Sequence, residues 1–267
     1  MFFLPKIKYV CVFWIIGTLL FVSSCSADKN RIKNIEMINA INEHYYNLRA
    51  QGIRNMEFKY DSEKFRNLPE QIKNKQLSSL ISQIEFVVRW SGSTDVVILT
   101  NNVPRLKNAN ARIGLDRIIS GTKKEIKGLF LIITPVLDDL IKYRGNVEYL
   151  IVDDESGVII TLNHRLKKLT EKMYFDKALK LIKTETYENN KLVATNNMIF
   201  IMQDGKYILQ EIQTTISGKS NIKTVAKIQY TKKDDLFLPA SIMLDSTIGD
   251  NETANEVNLI PLKVNSK

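Results

Sequence analysis

Cysteine and histidine are scarce in this chain. Two Cys in 267 residues cannot build a disulfide framework, and neither lies in a CxxC or Cys/His cluster of the kind that holds zinc. His44 and His164 are the only histidines, so a three-His metal site is excluded and a His-based triad has few candidates. Eleven Gly and six Pro are too few for a collagen-like or low-complexity chain, and no Gly-, Pro- or Ser-rich linker divides it. With 44% hydrophobic and 25% charged residues, the composition is that of an ordinary globular domain. No GxSxG elbow occurs. Ser217-Gly218-Lys219-Ser220 contains GKS, but it lacks the earlier glycine and the following helix of a phosphate loop, so it reads as a hairpin turn.

What the chain does have begins at its first residues. Lys6 and Lys8 precede an almost wholly apolar run from Tyr9 to Val22. That run is too short to span a bilayer comfortably and has the length of an export-signal core. It ends in Val22-Ser23-Ser24-Cys25, which resembles the lipobox of bacterial lipoproteins. The resemblance implies that residues 1–24 are a signal peptide and that Cys25 is the lipidated first residue of the mature chain. Two or more long acyl chains anchor stably where one does not. The alternative is an uncleaved anchor helix with an incidental Cys25. Cys11 lies within the segment to be removed, leaving no free thiol, which suits an exported compartment. Ser26 stands where the Gram-negative sorting rule reads Asp as inner-membrane retention. The implied address is therefore the cell envelope, the outer membrane rather than the inner.

Lys and Arg total 38 and Asp and Glu 29, a net charge of +9; losing Lys6 and Lys8 leaves 36 − 29 = +7. This balance suits an anionic membrane surface. The basic residues are scattered, with no recognition helix or stacking motif, so no nucleic-acid partner is expected. No cofactor is implied, and the oligomeric state is not read from the sequence.

Along the mature chain, Ile32, Ile35, Ile38, Ile41, Tyr45 and Leu48 predict a helix over Asp28–Gln51, stopped by Gly52. Met56, Phe58 and Tyr60 alternate with polar residues as in a short strand, and residues 62–80 have room for a short helix. Ile84–Trp90 and Val96–Leu99 flank Ser91-Gly92-Ser93 as a hairpin. Residues 101–113 read as a polar connection. The strongest helical stripe is Ile126, Leu129, Phe130, Ile133, Val136, Leu137, Leu140 and Ile141. Pro135 within it should kink the helix or start a new one with Thr134 as N-cap, and Gly145 should end it. From about residue 147 the period changes to two and stays there, through an antiparallel meander whose last strand Pro239 opens. After Ile248 the alternation fades, and a loose tail is expected from about residue 249.

The fold class is α+β: a curved antiparallel sheet, or incomplete barrel, covered by amphipathic helices, in one domain spanning residues 25–267. The order of lipobox, helix, hairpin, long helix and meander resembles the LolA/LolB-like periplasmic lipoprotein carrier superfamily. The most specific stretch is 171–245, with Tyr187-Glu188-Asn189-Asn190-Lys191-Leu192-Val193 at a strand–turn–strand and Leu238-Pro239-Ala240-Ser241-Ile242 in a late strand. The resemblance covers about two thirds of the chain and includes no catalytic signature. It implies a hydrophobic space between sheet and helices suited to lipid or lipoprotein acyl chains. The residues expected to line it are Phe58, Phe86, Val88, Trp90, Leu129, Phe130, Ile133 and Leu137, with Lys123, Lys124 and Lys127 at the rim. Plain core packing is the competing role for the same apolar set. The rival function is an envelope protein-interaction module with a filled core and no ligand.

An enzyme is not expected, because no set of residues supplies a nucleophile, a base and an orienting group. Asp138-Asp139 and Asp153-Asp154-Glu155 are read as solvated acids, the first pair on the wet side of the long helix. His44 is read as a surface or boundary residue.

Overall fold

Period-two alternation over short runs, broken by turn residues, produces a single broad sheet. The structure, a computed structural model, describes residues 31–72, 75–92, 96–142, 147–164, 168–218 and 222–266. Among the described residues, helix α1 (31–43) leads to strand β1 (Ile53–Ser62). Helix α2 (Glu63–Asn67), a 3-10 turn (Leu68–Gln71) and helix α3 (Lys75–Ile81) precede the hairpin of β2 (Glu85–Trp90) and β3 (Val96–Asn101). The long helix α4 (Ala109–Leu137) follows. Then come β4 (Val147–Asp154), β5 (Gly157–His164), β6 (Leu169–Phe175), β7 (Leu181–Glu188) and β8 (Lys191–Gln203). The last strands are β9 (Lys206–Ile216), β10 (Ile222–Lys233), β11 (Leu236–Ile248) and β12 (Asn251–Ser266).

All twelve strands join one open antiparallel sheet in the order β3-β2-β1-β12-β11-β10-β9-β8-β7-β6-β5-β4. The expected α+β class, hairpin and meander are therefore present. The two edge strands, β3 and β4, are consecutive in the chain, and α4 is what connects them. At the β4–β5 turn the backbone of Gly157, at φ +141°, lies so close to β6 that a Cβ would strike the Phe175 carbonyl oxygen. No larger residue fits there without moving a strand.

The segment expected to be a loose tail is β12, which sits between the two parts of the sheet. It pairs with β11 from Ile248↔Asn251 to Ser241↔Asn258, and with β1 from Ser62↔Val257 to Ile53↔Ser266. Its alternation is invisible because Asn251–Glu256 are polar on both faces, while Val257 and Leu259 alone are buried. The sequence does hold one local signal. Gly249-Asp250 makes the two-residue turn from β11, a dipeptide that favours hairpins. Pro261 lies at a register shift in the β1–β12 pairing, opposite Phe58. Pro239 likewise falls inside β11 at a register shift opposite Tyr230, rather than opening the strand. Bulges are where a sheet tolerates a residue without an N–H.

Two helix boundaries also differ from expectation. The first helix ends at residue 43, and Tyr45 instead makes a parallel bridge with Tyr207. The Tyr46 N–H donates to the Tyr207 carbonyl at 2.9 Å, and the Tyr207 N–H to the His44 carbonyl at 2.8 Å. These strand-type bonds, with Tyr45 packed on Phe200 and Tyr207, outweigh the helical spacing. Gly52, at φ +82°, belongs to the turn into β1.

The second difference is α4, which begins within the stretch read as a polar connection. Its N-cap is Asn108, whose side-chain oxygen accepts from the Ala111 N–H at 3.0 Å. The helix runs through Pro135 without breaking. Only two helical residues follow the proline, so little of the ladder is lost. Asp138, with extended backbone, ends it. Gly145 lies outside the described residues.

Candidate functional site

The eight apolar residues expected to line a cavity are brought together, but as a close-packed core. Phe58 on β1, Phe86, Val88 and Trp90 on β2, and Leu129, Phe130, Ile133 and Leu137 on α4 are each at most 3% exposed. Phe58 meets Phe130 edge to face at 5.8 Å between ring centroids, and Tyr60 and Phe65 pack on Phe86 in the same manner. Glu125 fixes α4 over this part of the sheet. It accepts from Tyr60 Oη at 3.2 Å, Asn255 Nδ2 at 3.0 Å and Lys64 Nζ at 3.2 Å. Trp90 also borders a shallow groove of about 370 Å3 with Met56 and Arg89. Cys25 lies outside the described residues.

Open space adjoins α4 further along, where its carboxyl half passes over β4–β8. This cleft measures about 570 Å3. Its helix-side wall is Leu131 and Thr134, continued by Leu140 and Ile141 beyond the helix end. From the sheet, Val147, Tyr149, Leu162, Met173 and Met198 add apolar surface. Between them runs a polar row. Asn196 Nδ2 donates to Thr184 Oγ1 at 3.0 Å, and Thr214 Oγ1 donates to Asn196 Oδ1 at 2.7 Å. Thr186 and Glu171 face each other across β6 and β7. His164 Nε2 is buried without a hydrogen-bond partner, 3.7 Å from Glu171 Oε2, too long for a hydrogen bond.

The segment beyond α4 that forms one rim is pinned from several sides. The Asn42 side chain donates to the Ile141 carbonyl at 2.8 Å and accepts from the Ile141 N–H at 3.1 Å, acting as a backbone mimic. Tyr149 Oη donates to the Lys142 carbonyl at 2.7 Å. Asp138, expected on the wet side of the helix, is instead fully buried. It pairs with Arg49 and Lys142, and it accepts from the Asp139 N–H at 2.9 Å. A buried carboxylate must be paired in this way. His44 is exposed at the surface, as expected.

The polar floor is not legible in the alternation, which marks β5–β8 only as strands. A usable signal was the lack of inward apolar residues. Thr184, Thr186 and Asn196 occupy positions that a filled core gives to Val, Ile or Leu. A larger depression, about 800 Å3, lies at the ends of β1 and β2. Its charges are satisfied among themselves, Lys59 with Glu85 at 2.6 Å and Arg66 with Asp61 at 3.3 Å. It therefore offers a ligand less than the cleft, where His164 has an unused nitrogen.

A polar cluster lies outside the cleft. On the sheet face opposite Met173 and Thr184, Glu185 accepts from Lys183 Nζ, Tyr174 Oη and Tyr187 Oη at 2.6–2.8 Å. The bond from Lys183, then that from Tyr174, holds the Glu185 carboxyl down at about 2. Burial pushes the Tyr45 phenol well above its ordinary value, and its hydroxyl donates to the Leu179 carbonyl at 2.8 Å. Among the described residues, no group of three or more His, Cys, Asp or Glu is placed to hold a metal, and no helix is long and apolar enough to cross a membrane. Comparison with protein-family models, curated proteins and solved structures finds no match for this chain.

Proposed function

We propose that this is a membrane-anchored bacterial lipoprotein that holds an acyl chain, of a lipid or of an acylated protein, in the cleft between α4 and β4–β8. The observation that carries the reading is the make-up of that space. It has the volume of a small-ligand site and two apolar walls around a few convergent polar groups. A chain lying along Leu131, Ile141, Met173 and Met198 gains about 0.8 kcal/mol per buried methylene. His164, Glu171 and Thr186 meet its polar end. The eight core residues beneath α4 then serve as the rigid support of the site rather than as its lining.

The architectural reading that goes with this is a sheet curved into an incomplete barrel of the LolA/LolB-like kind, with α4 across its open side. The order of elements supports it, as does a helix that joins both free edges of the sheet. The tether rests on Lys6, Lys8, the apolar run and the Cys25 motif, and these support the cell envelope as the proposed address. Binding, not catalysis, is the proposed activity.

The test is titration of the full chain with a fluorescent fatty acid, alongside a Met198→Trp variant that fills the cleft. Saturable binding, weakened at least about tenfold in the variant, supports the reading. Wild-type protein with no saturable binding, or a variant that binds equally well, overturns it. The solid packing under residues 126–133 favours a second reading, an envelope protein-interaction module without a ligand. Absence of fatty-acid binding by correctly folded protein selects that reading.

A further inference from the structure

Helix α4 buries one side and leaves the other in solvent. On the bare side Ile113, Arg117, Ser120, Lys124, Lys127 and Leu131 follow at spacings of four and three, and all six are exposed. That spacing places them in one line along the helix. Ile113 and Leu131 stand at its two ends, 49% and 67% exposed. At 1.5 Å per residue they are about 27 Å apart. Between them the line itself carries Arg117, Lys124 and Lys127, and the exposed Asp116 borders it near the Ile113 end. The helix carries five basic residues and two acidic ones, and Glu125 is turned to the sheet and held there by Tyr60, Lys64 and Asn255. Asp116 is the other carboxylate. Arg105 and Lys107, both exposed, extend the basic stretch ahead of the helix. Along one flank of the line run Gly114, Gly121 and Gly128, seven residues apart, and a Cβ on any of them would meet nothing within 4 Å. These glycines weaken the helix and relieve no clash inside the protein.

We propose that this face of α4 is a docking surface for an anionic phospholipid bilayer. The guanidinium and ammonium groups of Arg117, Lys124 and Lys127 meet lipid phosphates. Ile113 and Leu131 enter the boundary between headgroups and chains, and the bare glycine flank lets the helix lie close to a flat surface. A nucleic acid matches the charge but gains little from an apolar residue at each end, and an acidic protein would need apolar surface at two places about 27 Å apart to match both. Leu131 also lines the cleft, so a protein docked this way turns the cleft mouth toward the bilayer. The surface stands on its own, whether or not the cleft holds an acyl chain.

The test is lysine acetylation of the full chain, read residue by residue by mass spectrometry. It is performed with phosphatidylcholine vesicles and with vesicles containing about 30 mol % phosphatidylglycerol, a composition that supplies the negative surface potential. On the anionic vesicles, labelling of Lys124 and Lys127 falls at least about threefold, while exposed Lys191 and Lys223 on the sheet are unchanged, and salt at about 0.5 M restores it. Equal labelling on both vesicles overturns the proposal. So does protection by double-stranded DNA or polyglutamate in the absence of protection by vesicles. A variant, Ile113→Ser, at the end of the line away from the cleft, keeps every charge and alters only an exposed position. Weakened protection in it supports insertion, and undiminished protection overturns the bilayer as the occupant.

Discussion

Glu185 shows how much a single exposed-face carboxylate can collect. Three donors, Lys183, Tyr174 and Tyr187, converge on it, and each of the two tyrosine rings also has a lysine over its face. Lys183 Nζ lies 4.2 Å from the Tyr174 centroid and Lys172 Nζ 5.2 Å from that of Tyr187. Because the folded-state carboxyl titrates at about 2 against an ordinary 4.5, its contribution is fully present above pH 4.5 and is lost as pH falls toward 2. In urea denaturation between pH 5 and pH 2.5, wild-type protein should therefore lose stability that Glu185→Gln does not lose. Parallel midpoints for the two proteins across that window would show that the three bonds contribute nothing net. The residue scale was poorly legible beforehand. Lys183, Glu185 and Tyr187 share one face of β7 at spacings of two, but Tyr174 joins them only because the β6–β7 register sets it opposite Lys183.

Among the elements, α4 best shows what periodicity can and cannot carry. Its buried stripe from Ile126 to Leu137 was legible, because each of those residues must leave water and their spacing fits one helical face. Its first four turns were not, because Asn110, Gly114 and Gly121 lower helix propensity and only Leu115 is fully buried there. The same glycines give a prediction. Gly121 sits in mid-helix with open space where a Cβ would go, so Gly121→Ala should raise stability by about 0.5–1 kcal/mol, read as a higher urea midpoint at unchanged slope. A lower midpoint would mean that something packs on this flank after all. The cleft was illegible for a related reason. On β6 and β7 most side chains are half-buried on both faces, so hydrophobicity does not distinguish inward from outward positions. The strand β12 was hidden by its polar first half.

The whole molecule is held together where the chain's last described strand meets its first. β12 supplies the ladder on one side to β1 and on the other to β11, so within the sheet β1 and the hairpin of β2 and β3 join the meander only through it. Deleting residues 251–266 should therefore abolish the single cooperative melting transition and leave β1–β3 unattached, checked by circular dichroism and limited proteolysis. A truncated chain that melts like the wild type would show that α4 alone can hold the two parts together. α4 also sets how the sheet can move. A helix fastened to both free edges behaves like a bowstring, since its hydrogen-bonded length is fixed and the bow cannot spread without tearing an end loose. The string's end beside the cleft is the short stretch after Leu137, where Asn42, Arg49 and Tyr149 act as the knots. An acyl chain entering as proposed would have to loosen those knots, so the three side chains, rather than the twelve strands, would set the width of its entrance.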